Sequence, residues 1–142
     1  MKAYFGDLSF STKKKLEIVD VTSNVENVVK KSGVTNGFVN IWVPHATAAI
    51  TVNENDRDLW EDILQTFERL VPLNANYQHN LKYSWSSAEQ NAHAHIISCL
   101  VKPNVTVPLK NGKVHLGTWQ SILFVELDGP RTRTVNLQVI GE

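Results

Sequence analysis

Two closely spaced histidines are the first feature of this chain that suggests chemistry. His93 and His95 lie in the segment NAHAHIISCL, residues 91–100, between Asn91 and the only cysteine, Cys99. Neutral imidazoles bind zinc and act as general bases, so the segment is either part of a metal or catalytic site or an ordinary helix with polar side chains. The choice depends on which side chains share a face.

Helical geometry separates the two histidines. Each residue turns a helix by about 100°, so His93 and His95 would point about 200° apart, whereas Asn91, His95, Ser98 and Cys99 would share a face. A strand would instead place both histidines on one side, but the alanines favour a helix. We therefore expect Asn91 and His95 to form the candidate pair, with His93 exposed, and Cys99 to be a small buried side chain rather than a nucleophile.

Three other polar segments are candidates for a site. In NEND, residues 53–56, Asn55 or Asp56 is expected to cap a helix, which leaves Glu54 free for another role. GTWQ, residues 117–120, is expected to form a bulge or the rim of a substrate site. DGPR, residues 128–131, is a turn whose Arg131 has the geometry to bind a phosphate or a carboxylate.

Composition narrows the classes of function. A chain of 142 residues with 14 basic and 14 acidic side chains fits one domain, residues 1–142, and has no net charge to favour a nucleic-acid partner or an anionic membrane. No segment approaches the roughly 18 consecutive apolar residues of a membrane span, and no signal peptide is evident. A single cysteine suits a reducing compartment, so we expect a cytoplasmic protein.

The hydrophobic pattern predicts an α+β fold around antiparallel strands. Residues 3–22 suggest a hairpin, and Ser23 with Glu26 suggests a capping box for a helix that stops near Gly33. The expected strands are residues 37–43, 48–53, 104–109, 113–119, 121–128 and 134–140, with a tight turn at 111–112. A helix is expected from Asp56 to Pro72, and a long loop over residues 71–85.

Several of these motifs together resemble the YjbQ family. The segments HATAAITVNEN, VPLNANYQH, NAHAHI and GTWQSILFVELDGPR occur in that family's order and spacing from about Gly37 onward. The resemblance implies packed, sandwich-like antiparallel sheets with a few flanking helices, assembled as a homotrimer with clefts between subunits. Departures from the family pattern are the shortened segment DRDLWED, the segment EQN at residues 89–91, and Ser121.

The resemblance also implies a set of site residues. Three histidines are expected to bind a divalent metal, which their ligand type predicts to be zinc, with magnesium as the alternative: His45, His79 and His95. The expected catalytic residues are Glu54, Glu89, Asn91 and Arg131, and the expected substrate-binding residues are Asn53, Trp119, Gln120 and Glu126. Glu54 is expected beside the metal as a base or as an orienting group for a histidine.

Three functions are compatible with such a site. The resemblance implies a secondary thiamine phosphate synthase activity, which joins a pyrimidine diphosphate to a thiazole phosphate with loss of pyrophosphate. A zinc-dependent hydrolase of a small phosphorylated or acyl metabolite, with Glu54 or Glu89 as general base, is the second. A non-catalytic trimer that binds a small anionic molecule is the third.

Overall fold

Two antiparallel sheets pack face to face in the computed structural model, which describes residues 1–142. The larger sheet has the strand order β1-β8-β3-β5-β6, and the smaller has the order β2-β7-β4. The strands are β1 (Lys2–Ser11), β2 (Glu17–Asp20), β3 (Gly37–Trp42), β4 (Ala48–Asn53), β5 (Asn104–Lys110), β6 (Lys113–Val114), β7 (Ser121–Glu126) and β8 (Thr132–Gly141). The fold is α+β, as the sequence predicts.

The main hydrophobic core lies between the inner faces of the two sheets. Alternate side chains of the β-branched strands fill it, among them Ile41, Ile50 and Phe124, and all three are fully buried. Helix α1 (Thr22–Ser32) covers the rest of the larger sheet's inner face. It ends, as expected, at Gly33, whose φ of 70° is the left-handed conformation that glycine adopts readily.

The outer face of the smaller sheet is covered by two helices, α2 (Arg57–Leu70) and α4 (Ala92–Val101). The Asp56 side chain caps α2 by accepting from the backbone N–H groups of Asp58 and Leu59, which confirms the predicted cap. The carbonyl of Ala48 in β4 accepts a hydrogen bond of 3.2 Å from the Ser98 hydroxyl, so α4 is fixed directly to the sheet edge. None of the helices has the length and apolar composition that a membrane crossing requires.

Four local predictions were wrong. Residues 3–22 do not form a hairpin, because β1 pairs with β8 in the larger sheet while β2 pairs with β7 in the smaller one. Helix α1 begins at Thr22 with no side-chain cap, so the capping box does not form. The expected strand at 113–119 is only two residues long, and the expected loop at 71–85 contains a short helix, α3 (Gln78–Lys82).

Candidate functional site

Two of the predicted histidines meet where α3 lies against α4. The ring centroids of His79 and His95 are 4.9 Å apart, and the ring planes are inclined by 53°. Both side chains are half-buried, so they remain open to a ligand from one side. This pair is the part of the predicted metal centre that the folded chain brings together.

Asn80 is hydrogen-bonded to Nδ1 of His79. The buried Oδ1 of Asn80 accepts from the backbone N–H of Ala92 at 3.1 Å and lies 3.1 Å from Nδ1 of His79. Since a carboxamide oxygen only accepts, the proton of the His79 ring must lie on Nδ1. In the neutral form of the ring, the lone pair that a metal ligand or a base requires then lies on Nε2 of His79.

The environment keeps His95 neutral. Burial lowers its pKa, and the neighbouring His79 lowers it further, while the carboxylates of Asp128 and Glu89 oppose this effect. A histidine with a lowered pKa is neutral at pH 7 and offers a lone pair rather than a positive charge. His95 thus offers a neutral imidazole to this site.

Asp128 organises the base of this site, and the sequence interpretation missed it. Its carboxylate accepts from Nδ2 of Asn91 at 2.8 Å and from the Arg131 guanidinium at 2.8 Å, with Nζ of Lys15 at 3.5 Å. Burial alone would raise the pKa of Asp128, but the hydrogen bonds from Asn91 and Arg131 outweigh it, and the pKa lies below its usual value. The acidic first residue of DGPR was the available signal, although the motif was interpreted through Arg131 alone.

Glu89 lies near both the histidine pair and Arg131. Its charge acts on the pKa of both His95 and Arg131, which places it within electrostatic range of each. Six residues from α3, α4 and the turns around them therefore form one assembly, named here the paired-histidine site: His79, Glu89, Asn91, His95, Asp128 and Arg131. Five of the six were predicted as metal or catalytic residues, and Asp128 is the exception. The hydrogen bond from Asn91 to Asp128 joins α4 to the turn that carries Arg131.

His45 does not join this pair within the chain. Its Nε2 lies 3.1 Å from both the backbone nitrogen and the carbonyl oxygen of Thr134. The ring therefore contacts the backbone of β8 just beyond the point where pairing with β3 ends. Burial and the nearby Arg133 lower the pKa of His45. No group of three histidine, cysteine, aspartate or glutamate side chains in the chain is arranged to hold a metal ion.

Glu126 is an internal ion-pair partner and is not placed to contact a substrate. It has no exposed surface, and its Oε1 accepts from Nε of Arg133 at 2.8 Å and from the Thr12 hydroxyl at 2.6 Å. Burial by itself would raise the pKa of Glu126, but the hydrogen bonds from Arg133 and Thr12 hold it below its usual value. The expectation of a substrate-binding Glu126 is corrected to a structural role, since every bond it makes is internal.

The remaining predicted residues lie at the opposite end of the smaller sheet. Asn53 pairs with Ser121, whereas Ala48 pairs with Glu126, so the two ends of β4 are about 17 Å apart at the usual rise per strand residue. Glu54 follows Asn53, and its carbonyl accepts from the Trp60 indole at 3.0 Å. Trp119 and Gln120 precede Ser121, and Trp119 is 73% exposed. Glu54 is therefore not beside the histidines of its own chain.

The predictions for His93 and Cys99 were wrong. His93 is fully buried, and Nε2 donates to the carbonyl of Leu127 at 3.0 Å, whereas Cys99 is exposed. The reason is that α4 turns the face of His93, Ala94 and Ile97 towards the smaller sheet. His93 is a structural residue, and Cys99 lies on the solvent side.

Acidification should destabilise the fold between about pH 7 and pH 5. Burial lowers the pKa of His93, His45 and His95 below the usual value of about 6.5, so the unfolded chain binds protons first as the pH falls. The contribution of these histidines to the free energy of unfolding should be fully present above about pH 6.5 and should decrease as the pH falls below that value. The carboxylates of Glu126 and Asp128, with lowered pKa values, keep their stabilising contribution until more acidic conditions.

Urea denaturation at about pH 7.5 and about pH 5.5 measures this effect. The midpoint should be lower at the acidic pH, and His93→Gln should reduce the difference. The exposed His115 provides a matched control, because His115→Gln should leave the difference unchanged. Equal midpoints for the wild-type protein at the two pH values would contradict the prediction.

The family model described as "UPF0047 protein YjbQ-like" matches residues 6–142. A UPF0047 protein of Methanothermobacter thermautotrophicus is 41% identical over 142 residues, covering 100% of this chain and 95% of the relative. The UPF0047 protein YugU of Bacillus subtilis is 40% identical over 135 residues, covering 94% of this chain and 97% of the relative. These relatives match nearly the full length of the chain.

Solved structures agree with this result. A YbjQ-like protein of unknown function from Sulfolobus solfataricus superposes with a TM-score of 0.93 at 42% identity, covering 99% of both chains. A hypothetical protein from Aeropyrum pernix gives a TM-score of 0.91 at 40% identity, covering 98% of this chain and 99% of the other. The architecture described above is thus the architecture of these proteins.

Proposed function

Because this chain belongs to the YjbQ-like UPF0047 family, we propose that its paired-histidine site binds a small phosphorylated metabolite and acts on it with the help of a divalent ion. The observation that carries this proposal is the 4.9 Å pair of His79 and His95 in one assembly with Arg131. Neutral imidazoles suit a borderline metal such as zinc, and a guanidinium suits a phosphate.

The donor set fits a divalent ion in part. His79 and His95 would supply two nitrogens, with Nε2 of His79 held ready by Asn80. The third expected histidine, His45, is bonded to Thr134, so phosphate oxygens of the ligand would complete the coordination unless His45 leaves that position. When bound, the ion would offset negative charge on the phosphates.

The reaction we propose is the thiamine phosphate synthase type, in which a pyrimidine diphosphate loses pyrophosphate as it joins a thiazole phosphate. In that reaction Arg131, whose side chain is 44% exposed, would bind the departing pyrophosphate. Asp128 would hold Arg131 in place through the 2.8 Å ion pair. We also propose a homotrimer, as the resemblance implies, with the Asn53, Glu54, Trp119 and Gln120 end of one subunit available to another.

A zinc-dependent hydrolase is the second candidate, and Glu89 favours it. Its charge acts on the pKa of His95, which supports a role for this carboxylate as general base near the histidine pair. Glu54, the other expected base, lies at the far end of β4 and would serve only from a neighbouring subunit. A non-catalytic trimer that binds a small anion would use Arg131 without turnover.

Calorimetric titration with zinc and with inorganic pyrophosphate tests the proposal. His79→Ala and His95→Ala should weaken zinc binding by about 10-fold to 100-fold, because each removes one of two imidazole ligands. Arg131→Met should weaken pyrophosphate binding by about 10-fold or more while leaving zinc affinity unchanged. The exposed residues His115 and Arg69 supply matched controls, and neither His115→Ala nor Arg69→Met should change either affinity.

Activity measurements then separate the three functions. Formation of thiamine phosphate from the two phosphorylated substrates, dependent on His79, His95 and added metal, is the result expected for the proposed transfer. Release of phosphate or acid from single substrates, lost in Glu89→Gln, would identify the hydrolase instead. Unchanged zinc binding in both histidine variants would refute the proposed site.

A further inference from the structure

Two aromatic side chains extend the histidine pair towards the surface. The Tyr83 ring lies 5.2 Å from the His79 ring by centroids, with the planes inclined by 52°. Trp85 follows at 6.1 Å from Tyr83 in an edge-on arrangement. Tyr83 is half-buried, whereas Trp85 is 78% exposed. The paired-histidine site is therefore continuous with an exposed aromatic surface.

The backbone that carries these two rings is held by one side chain. The Gln90 amide donates to the carbonyl of Asn80 at 3.0 Å and to the carbonyl of Tyr83 at 2.7 Å, and it lies 3.5 Å from the carbonyl of Ser86. These three carbonyls lie on both sides of the turn that presents Trp85. The rings are thus positioned before a ligand binds, which reduces the entropy that binding costs.

Packing within the chain does not account for the two rings. Neither Tyr83 nor Trp85 belongs to a hydrophobic core cluster of the protein. A flat ligand ring that covered Trp85 would remove apolar surface from water and would add a stacking interaction. Stacking on an aromatic side chain suits any planar heteroaromatic ring, because every such ring has a π-face.

The charges beside these rings favour a phosphorylated ligand. Nζ of Lys82 lies 5.8 Å from the centre of the Tyr83 ring. The Arg131 guanidinium belongs to the same site and is held by Asp128 at 2.8 Å. Ammonium and guanidinium groups both bind phosphate oxygens. A ligand with one planar ring and an attached phosphate would therefore match both features.

From these observations we infer that Tyr83 and Trp85 form a ring-binding subsite beside the paired-histidine site, which takes the planar heteroaromatic ring of a phosphorylated ligand. The inference rests on the proposed function and deepens it, because it assigns the ring of the pyrimidine diphosphate to a particular surface. The occupant is a small-molecule ring, since the aromatic surface is continuous with the histidine pair and Lys82 lies beside it.

Calorimetric titration with two matched ligands in the presence of zinc tests the subsite. Pyrimidin-5-ylmethyl diphosphate carries a ring, and methyl diphosphate has the same diphosphate without it. The wild-type protein should bind the first ligand about 10-fold more tightly than the second. Tyr83→Ala and Trp85→Ala should each remove most of this difference and leave the affinity for methyl diphosphate unchanged. Trp85→Phe should retain most of the difference, because it keeps an aromatic ring.

Leu81→Ala is the matched control. Leu81 is 66% exposed and lies on the same short helix as His79, but helical geometry turns it about 200° away from that histidine. Its substitution should change neither affinity. A difference between the two ligands that persisted in both Tyr83→Ala and Trp85→Ala would place the ring elsewhere and overturn the inference.

Fluorescence shows whether the ligand ring contacts Trp85 directly. The Trp85 emission is the wild-type spectrum minus the spectrum of Trp85→Phe. It should be that of a water-exposed indole in the free protein, and pyrimidin-5-ylmethyl diphosphate should quench it whereas methyl diphosphate should not. Emission typical of a buried indole before ligand is added would mean that another chain covers the ring, and it would overturn the subsite.

The subsite and the proposed function fail in different ways. Equal affinities of the wild-type protein for the two diphosphates would overturn the subsite and leave the proposed phosphate site standing. Failure of both diphosphates to bind would refute the proposed function and the subsite together.

Discussion

Arg133→Met should lower the free energy of unfolding by about 3–5 kcal/mol, because it leaves a buried carboxylate without its partner. Glu126 and Arg133 are 0% and 3% exposed, and the Arg133 guanidinium bonds both carboxylate oxygens of Glu126. The same guanidinium donates to the hydroxyl of Thr47 at 3.0 Å. Removing it therefore also leaves the loop that carries His45 without one of its anchors. Urea denaturation at neutral pH measures the loss.

The double variant Glu126→Leu/Arg133→Met is the informative control. It removes both charges, so the cost should be well below that of Arg133→Met alone. Arg69→Met, at a surface arginine, should change stability by less than about 0.5 kcal/mol. If the single and double variants were equally destabilised, the uncompensated charge would not be the cause.

This ion pair also connects the core to the candidate site. Oε2 of Glu126 accepts from the backbone N–H groups of Leu127 and Asp128 at 3.0 and 3.1 Å. Asp128 in turn holds Asn91 and Arg131. Glu126 thus acts through Asp128 and fixes the base of the paired-histidine site, although it has no surface of its own.

The sequence predicted most elements because their signals are local. The β-branched runs of β3, β4 and β7 and the apolar stripe of α2 each identify an element without knowledge of its neighbours. Strand pairing is a long-range property, so the segment around β1 and β2 looked like a hairpin although its strands join different sheets. The last residue of β1 pairs with Thr132, 121 residues away along the chain, and no local pattern reports that contact.

The candidate site was predictable in its residue types but only partly in its arrangement. His79, His95, Asn91, Glu89 and Arg131 do come together. Glu54 belongs to one of the same family motifs. The register of β4 against β7 nevertheless places it at the end of the smaller sheet that lies away from the histidine pair. Sequence motifs name residues without the distances between them, and within one chain those distances divide the predicted set into two groups.

The same limit explains why His93 was wrongly predicted to be exposed. Helical periodicity correctly placed His93 and His95 on different faces, but it contains no information about which face meets the smaller sheet. Ala94 and Ile97, which flank the His93 face, were the apolar signal that this face packs inward. The polar character of His93 favoured the opposite interpretation, in which its face is exposed.

His93→Ala should lower the free energy of unfolding by about 2–4 kcal/mol. The substitution creates a cavity at a fully buried position and removes the donor to the Leu127 carbonyl, which would be left without a hydrogen bond in the core. His93→Gln should recover part of the loss, since its amide can donate to the same carbonyl. Urea denaturation at neutral pH measures both variants.

Two controls separate this structural role from a role in binding. His115→Ala removes an exposed imidazole and should change stability by less than about 0.5 kcal/mol. His93→Gln, examined under conditions where it remains folded, should bind zinc as the wild-type protein does, because His93 faces the core while His95 faces His79. A His93→Ala variant as stable as wild type, or a folded His93→Gln variant that has lost zinc binding, would contradict the assignment.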